Sequence, residues 1–198
     1  MSELDDIVKR SLRSFYLQDV CSEWCGRENE MVNLYALGHL AKEVRTGTIL
    51  YDLTQIGIEV AVRQRDKRDE KSKMRSDVRK DLVIWPTRRM TLWKRNIPKN
   101  EPLAVMEWKV NHFLNRTVHK KNKDLGYKSD IDWLTATSLR PDMHNFIGYA
   151  VLIENTLYPK KLSCFRIQAG EIDKQFLILR GIEPDIGPSE TMPVVKVY

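Results

Sequence analysis

The sequence predicts an α/β domain in which helices cover the faces of a mixed central sheet. Apolar residues recur at near-helical spacing in two N-terminal segments, 2–25 and 28–44, which predicts two helices. Five later segments are short apolar runs rich in β-branched residues, and these predict strands. A third helix, over 130–139 with Ser129 as its cap, separates the third predicted strand from the fourth. A helical crossover of this kind allows the two strands to run parallel in one sheet.

The two N-terminal helices are predicted from caps and apolar stripes. Ser2 is the candidate N-cap of the first helix, whose apolar face consists of Leu4, Val8, Leu12, Phe15 and Leu17. The second helix stops at Gly47, and its predicted buried stripe consists of Leu34, Leu37, Ala41 and Val44. Glu30 lies one turn before Leu34, so it shares this inward face; the favourable helix dipole is its competing structural explanation. Glu28 lies about 200° away around the helix axis.

The first predicted strand covers 49–64 and alternates after Gln55. Its pattern predicts one face formed by Ile56, Ile58, Val60 and Val62, and an opposite face formed by Glu59, Ala61 and Arg63. Glu59 is therefore a candidate carboxylate for a site on this sheet. An ion pair with Arg63 is the competing interpretation.

The next two predicted strands carry the main candidate residues. Asp81 opens the second strand, and Glu107 and Lys109 lie on one face of the third, opposite Met106 and Trp108. A carboxylate and an ammonium group in an apolar strand are costly to bury unless they neutralise each other or bind a ligand. Asp81 can supply a second carboxylate, and two converging carboxylates suit Mg²⁺ or Mn²⁺. Asp81 and Glu107 are therefore the predicted metal ligands.

The positive charge of the chain is concentrated around these strands. The net charge is +6, but residues 63–128 hold 20 Lys and Arg against 8 Asp and Glu, and the remainder is net acidic. Part of the excess lies in a predicted loop, 87–102, where Trp93 is either a base-stacking residue or a hydrophobic anchor. This asymmetry predicts a nucleic-acid partner held through its phosphates. The candidate contact residues are Arg88, Arg89, Lys94, Arg95, Lys120 and Lys121.

The remaining sequence sets the bounds of the domain. Residues 145–154 and 162–169 predict two more strands, the second at a sheet edge, while 171–181 is ambiguous. We expect a single domain over 1–181 and an irregular tail over 182–198. The sequence has three cysteines, no signal-peptide pattern at its start and no apolar stretch of membrane-spanning length. A cytoplasmic protein with no membrane partner is the expectation.

Asp81 and, 26 positions later, Glu107-Trp108-Lys109 resemble the D…(D/E)xK signature of the PD-(D/E)xK superfamily, the restriction-endonuclease-like nucleases. The predicted elements over about 28–154 are also similar to the αβββαβ core of that family. Lys80 stands where the family usually has a proline. The resemblance implies that Asp81 and Glu107 bind metal, and that Lys109 orients or deprotonates water or stabilises charge on the phosphate. It also implies a helix carboxylate, for which Glu30 is the first candidate and Glu28 and Glu59 are the rivals.

The resemblance implies a nuclease that uses Mg²⁺ or Mn²⁺ to hydrolyse phosphodiester bonds, with DNA favoured over RNA. A restriction, phage-defence or repair effector is typical of the family. The chain has no G-x-x-x-x-G-K-[ST] phosphate loop, so we expect targeting through a homodimer or through a partner ATPase or targeting subunit. The alternative is a catalytically silent nuclease-fold module that binds nucleic acid or scaffolds a complex.

Overall fold

The computed structural model describes residues 2–21, 26–63, 77–88, 93–94, 97–98, 101–111, 120–154, 160–181 and 195–197. Its helices are α1 (Glu3–Phe15), α2 (Glu28–Gly38) and α3 (Lys120–Ser138). A π-helical turn, Tyr16–Val20, follows α1, and two 3₁₀ turns are formed by Leu40–Glu43 and Leu53–Gln55. The strands are β1 (Ile56–Arg63), β2 (Asp77–Ile84), β3 (Trp93–Lys94), β4 (Ile97–Pro98), β5 (Ala104–Asn111), β6 (Ile147–Glu154), β7 (Lys161–Gln168), β8 (Glu171–Gly181) and β9 (Val195–Val197).

The described strands form one large mixed sheet and one small hairpin. Seven strands are ordered β1-β2-β5-β6-β7-β8-β9, and β3 pairs with β4. β5 and β6 are parallel, with α3 between them in the chain, whereas the other described pairs are antiparallel. The predicted α/β class with a mixed sheet is therefore confirmed. No described helix is both long enough and apolar enough to cross a membrane.

Several element boundaries differ from the prediction. α3 begins at Lys120, so Ser129 lies inside the helix and is not its cap. β7 lies between β6 and β8, so its predicted place at a sheet edge is wrong. Residues 171–181 form β8, and Val195–Val197, which we expected to be irregular, pair with it as β9. The predicted basic loop contains the β3–β4 hairpin, which lies against β1.

α1 begins with a capping box and ends in a wider turn. The Ser2 hydroxyl accepts the backbone N–H of Asp5 at 3.2 Å, and the Asp5 carboxylate accepts the backbone N–H of Ser2 at 2.8 Å. The predicted N-cap is therefore confirmed. Leu17 is 53% exposed, although it was predicted to be in the core. The π-helical turn changes the angular spacing after α1, and Tyr16 and Val20 are buried there instead.

The buried stripe of α2 also differs from the prediction. Leu37 is 69% exposed, and the α-helix ends at Gly38 rather than continuing to Val44. The inward residues are Met31, Val32, Tyr35 and Ala36. Tyr35 packs against Trp108 of β5, with ring centroids 4.9 Å apart, which fixes this face against the sheet. The inward face of α2 is therefore rotated away from Glu30, whose side chain is exposed.

The sheet separates two hydrophobic clusters. The helix-pair cluster, between the sheet and the helices α1 and α2, includes Leu82, Met106 and Trp108. The α3 cluster, on the opposite face, includes Val83, Val105 and Leu134. Along β5, Glu107 and Lys109 alternate with Met106 and Trp108 of the helix-pair cluster. Both charged residues make ion pairs and belong to neither cluster. The predicted alternation along β5 is confirmed.

The alternation along β1 is broken at Glu59. Glu59 has a φ of 54°, in the left-handed region that an L residue adopts at a cost. Ile58 packs on the helix-pair cluster, but Val60 packs on the α3 cluster, so the predicted common face is wrong. Ile58 pairs with Leu82 and Val60 with Lys80, which leaves Glu59 opposite Asp81 without a change of register. The discontinuity therefore lies directly across from Asp81. The structure places Asp81 inside β2, which begins at Asp77, so its predicted position at the start of the strand is wrong.

Glu59→Gly is expected to stabilise the fold by about 1 kcal/mol, because glycine adopts a positive φ without the steric cost of a Cβ. Glu171→Gly, at an exposed strand residue without positive φ, is the matched control and should destabilise it by about the same amount. Urea unfolding of both variants measures these changes. Equal destabilisation by the two glycines would contradict a strained Glu59.

Candidate functional site

Asp81 connects β2 to β5 where their backbone pairing stops. The described pairing runs as far as Leu82 and Met106. The next residue on β2, Asp81, accepts the backbone N–H of Trp108 with its Oδ2 atom at 2.7 Å. A side-chain carboxylate thus replaces the backbone acceptor of the neighbouring strand, and the N–H remains satisfied. This bond fixes Asp81 beside Glu107, as the predicted site requires.

Glu107 is neutralised by a lysine that the sequence did not single out. Glu107 is 5% exposed and Lys80 is 4% exposed, and the two form an ion pair between neighbouring strands. The Lys80 Nζ atom also lies 3.6 Å from the centroid of the Trp133 ring on α3. The signal available in the sequence was a lysine directly before Asp81 in an apolar strand.

The environment of Glu107 opposes its ionisation. Burial raises the pKa of Glu107, Lys80 lowers it, and the nearby carboxylates of Asp81 and Asp130 raise it further. The resulting pKa is about 7. The Glu107 carboxyl therefore changes its charge near neutral pH.

Lys109 is held by carboxylates from two helices. Its Nζ atom lies 3.2 Å from Glu28 Oε1 and 3.2 Å from Asp130 Oδ2, and it donates to the Trp108 carbonyl at 2.8 Å. Burial lowers the pKa of Lys109, but the carboxylates of Glu28, Asp130 and Asp81 outweigh burial and raise it overall. Lys109 is therefore a cation at neutral pH, which sequence reasoning had left open. In this state it stabilises negative charge and does not accept a proton.

Glu28, rather than Glu30, brings the helix carboxylate to the site. Burial raises the pKa of Glu28, whereas Lys109 and the backbone N–H of Val110 act in the opposite direction. Glu30 is exposed, and its Oε2 accepts the backbone N–H of Arg27 at 2.6 Å as part of a helix-capping arrangement. The predicted inward position of Glu30 is wrong, because the buried stripe of α2 lies on another face. The positions that follow Glu28 at helical spacing, Val32 and Tyr35, are the buried ones.

Asp130 is a site residue that sequence reasoning missed. It lies on α3 one turn before the buried Leu134 and approaches Lys109 with Oδ2. A helix over 130–139, as the sequence predicts, would place Asp130 in the first turn. With α3 starting ten residues earlier, at Lys120, the same aspartate lies mid-helix on the face that contains Leu134.

The other candidates are placed less completely. Glu59 is exposed, and the structure gives only the backbone of Arg63, its predicted ion-pair partner, so that interpretation stays a prediction. Arg88 is exposed, and its backbone N–H donates to the Tyr51 hydroxyl at 3.3 Å. The structure gives only the backbone for Lys94 in β3 and for Lys120 and Lys121 in α3, while Arg89 and Arg95 lie outside the described residues.

The donor set suits a hard divalent cation, but lysines occupy it. Four carboxylates, Glu28, Asp81, Glu107 and Asp130, surround the ammonium groups of two lysines. Glu107 Oε1 and Asp130 Oδ2 are buried and receive no hydrogen bond of ordinary geometry, although an ammonium group lies against each. Within the described part of the chain, no three acids, histidines or cysteines are grouped to hold a metal. Carboxylate oxygens are the ligand type that Mg²⁺ and Mn²⁺ prefer, and metal binding by Asp81 and Glu107 remains a prediction.

The Glu107 pKa predicts a pH-dependent loss of stability. The folded carboxyl keeps its proton to about pH 7, whereas the unfolded one loses it near 4.5, so stability falls as the pH rises between these values. Relative to Glu107→Gln, which stays neutral, the wild type should lose roughly 2 to 3 kcal/mol between pH 5 and pH 8. Denaturant unfolding at both pH values measures this difference. A constant difference would contradict the raised pKa.

A comparison of the chain with protein-family models, curated proteins and solved structures gives no match. The resemblance to the PD-(D/E)xK nucleases therefore remains a prediction, and it rests on the residues of this chain alone. Asp81, Glu107 and Lys109 are its basis in the sequence, and Glu28 and Asp130 are the residues that surround them in the fold.

Proposed function

We propose that this protein is a metal-dependent nuclease that hydrolyses phosphodiester bonds, with DNA as the favoured substrate. The observation that carries the proposal is the position of Asp81, bound to the Trp108 N–H, beside a buried Glu107 and a charged Lys109. Two adjacent carboxylates that could bind a metal ion, and a fixed cation that could stabilise charge on the phosphate, suit metal-dependent phosphodiester hydrolysis.

The order of elements supports a PD-(D/E)xK-type core. α2 is followed by β1, β2 and β5, then by α3 and the parallel strand β6. This is the helix, three strands, helix and strand order that the resemblance implies, apart from the short inserted hairpin β3–β4. The candidate residues of α2, β2 and β5 occupy the corresponding elements of that order.

In this proposal Asp81 and Glu107 would hold Mg²⁺ or Mn²⁺. The bound ion would supply a polarised phosphate and an acidified water. Lys109 stabilises the negative charge that develops on the phosphate, because its ammonium group is already charged and fixed. Glu28 and Asp130 position Lys109 from two sides. Lys109 is not the proton acceptor in this arrangement, because its pKa is raised.

The nucleic acid would approach across the basic part of the chain. Residues 63–128 carry most of the excess positive charge, and the site strands lie within this range. Contacts from Lys and Arg to phosphates give affinity without sequence preference, so targeting would come from a second copy or from a partner ATPase or targeting subunit. An effector of a restriction, phage-defence or repair system fits this arrangement, in which one subunit cleaves and another selects the target.

One observation favours a second candidate, a catalytically silent module that binds nucleic acid or scaffolds a complex. Asp81 and Glu107 already have partners in the backbone N–H of Trp108 and in Lys80. In a silent module these bonds would be purely structural. Such a module would bind duplex DNA in a salt-sensitive way with no need for a divalent ion.

Cleavage of labelled duplex and single-stranded DNA with Mg²⁺ or Mn²⁺ tests the proposal. Asp81→Asn and Lys109→Met should each lower the rate by at least about 100-fold, because they remove a metal ligand or the charge on the phosphate. Glu28→Gln should lower it by at least about tenfold, through looser positioning of Lys109.

Glu30→Gln is the matched control, since Glu30 lies on the same helix but is exposed. It should leave the rate unchanged. Cleavage that survives EDTA or Asp81→Ala would overturn the proposed mechanism. Salt-sensitive DNA binding with no cleavage in either metal would favour the silent module instead.

A further inference from the structure

We propose that Lys80 is an internal cation that neutralises Glu107 until a divalent metal ion displaces it, and that the Trp133 ring then holds the displaced ammonium group. Lys80 thereby sets how tightly the site binds metal. This inference rests on the proposed metal-dependent function, which it extends to the control of metal loading.

The first support is the burial of the ion pair. Lys80 and Glu107 are almost fully buried, and Lys80 is the cation that contacts Glu107. A buried carboxylate without a cation is strongly disfavoured. A metal ion entering beside Asp81 and Glu107 therefore competes with Lys80 for the same carboxylate.

The second support is that Lys80 is held by fewer carboxylates than Lys109. Lys109 is bound by Glu28, Asp130 and the Trp108 carbonyl, which lie on three different elements. Among the side chains that the structure describes, Lys80 pairs with one carboxylate, that of Glu107. Displacement of Lys80 therefore breaks one ion pair, whereas displacement of Lys109 would break two.

The third support is the aromatic surface behind Lys80. The ammonium group lies 3.6 Å from the centroid of the Trp133 ring, within the range of a cation–π interaction. This contact does not require Glu107. When a metal ion takes the carboxylate, the ring becomes the main partner of the ammonium group and keeps the buried cation stabilised.

The fourth support is the local break in strand alternation. Consecutive side chains of a regular strand point to opposite faces. Lys80 nevertheless contacts Glu107 and α3, while the next residue, Asp81, bonds to the backbone of β5 beside Glu107. Glu59, whose positive φ interrupts the alternation of β1, lies directly across from Asp81. At this point of the sheet, two successive residues of β2 both approach Glu107.

Calorimetric titration of Mn²⁺ into the full chain at pH 8.5 tests the role of Lys80. Lys80→Met removes the ammonium group and keeps a flexible apolar side chain, so Mn²⁺ affinity should rise by about tenfold or more, because no ion pair must be broken. Lys161→Met is the matched control. It removes a strand lysine that pairs with Glu154 at 3.0 Å, away from the site, and should leave Mn²⁺ affinity unchanged.

Trp133→Leu tests the role of the ring and stands even if Lys80→Met does not fold. The ring becomes the main partner of the ammonium group once the metal ion takes Glu107, so its loss costs more in the metal-bound state and should weaken Mn²⁺ binding by about threefold. Trp133→Phe should restore most of the affinity. If Lys80 had a merely structural role, Lys80→Met and Trp133→Leu would not change the Mn²⁺ affinity in opposite directions.

The outcomes separate the two proposals. If Lys80→Met binds Mn²⁺ no more tightly than the wild type, or if Trp133→Leu binds it no more weakly, the role of Lys80 is overturned and the nuclease proposal stands. If neither the wild type nor any variant binds Mn²⁺, both are overturned. Tighter binding by Lys80→Met, with an unchanged Lys161→Met, supports the inference.

Discussion

The hydrogen bond from the Trp108 backbone to the Asp81 carboxylate is the interaction on which the candidate site depends. Backbone pairing between β2 and β5 is described only as far as Leu82 and Met106, and this bond extends the connection by one side chain. It satisfies a strand N–H and directs Asp81 toward Glu107 at the same time. The indole of Trp108 packs between Phe15 and Tyr35 on the other face, so the helical layer fixes the same segment of β5.

Local patterns in the sequence predicted most of the fold. The capping box at Ser2, the apolar runs of β2, β5 and β6, and a helix before the parallel strand are all consequences of short-range preferences. The predictions failed where tertiary packing decided between similar patterns. Apolar residues occur on more than one face of α2, and packing on the sheet buries Val32 and Tyr35 while Leu37 stays exposed. A left-handed Glu59 is likewise invisible in a regular alternating pattern.

Sequence reasoning predicted that Glu107 and Lys109 share one face of a strand, but it missed most of the charged partners that other elements bring to them. Glu107 and Lys109 follow from alternation along β5 alone. To predict that Glu28 approaches Lys109, one must know how α2 is oriented on the sheet. To predict the same of Asp130, one must know where α3 begins, and a single sequence provides neither. Lys80 was visible beside Asp81, but its partner was not. The burial of Lys80 could be predicted only if its carboxylate partner on the neighbouring strand were known. That partner depends on the order of strands in the sheet.

The charges of the site are contributed by segments that lie far apart in the chain: α2, β2, β5 and α3. A conformation that contains the sheet without α3 would leave Lys80 without its indole and Lys109 without Asp130. Such a state would also expose the α3 cluster to water, so it would lack both the apolar burial and the ion pairs of the native fold. Assembly of the charged groups therefore depends on the same packing of α3 that buries the apolar cluster, and this coupling favours all-or-none folding.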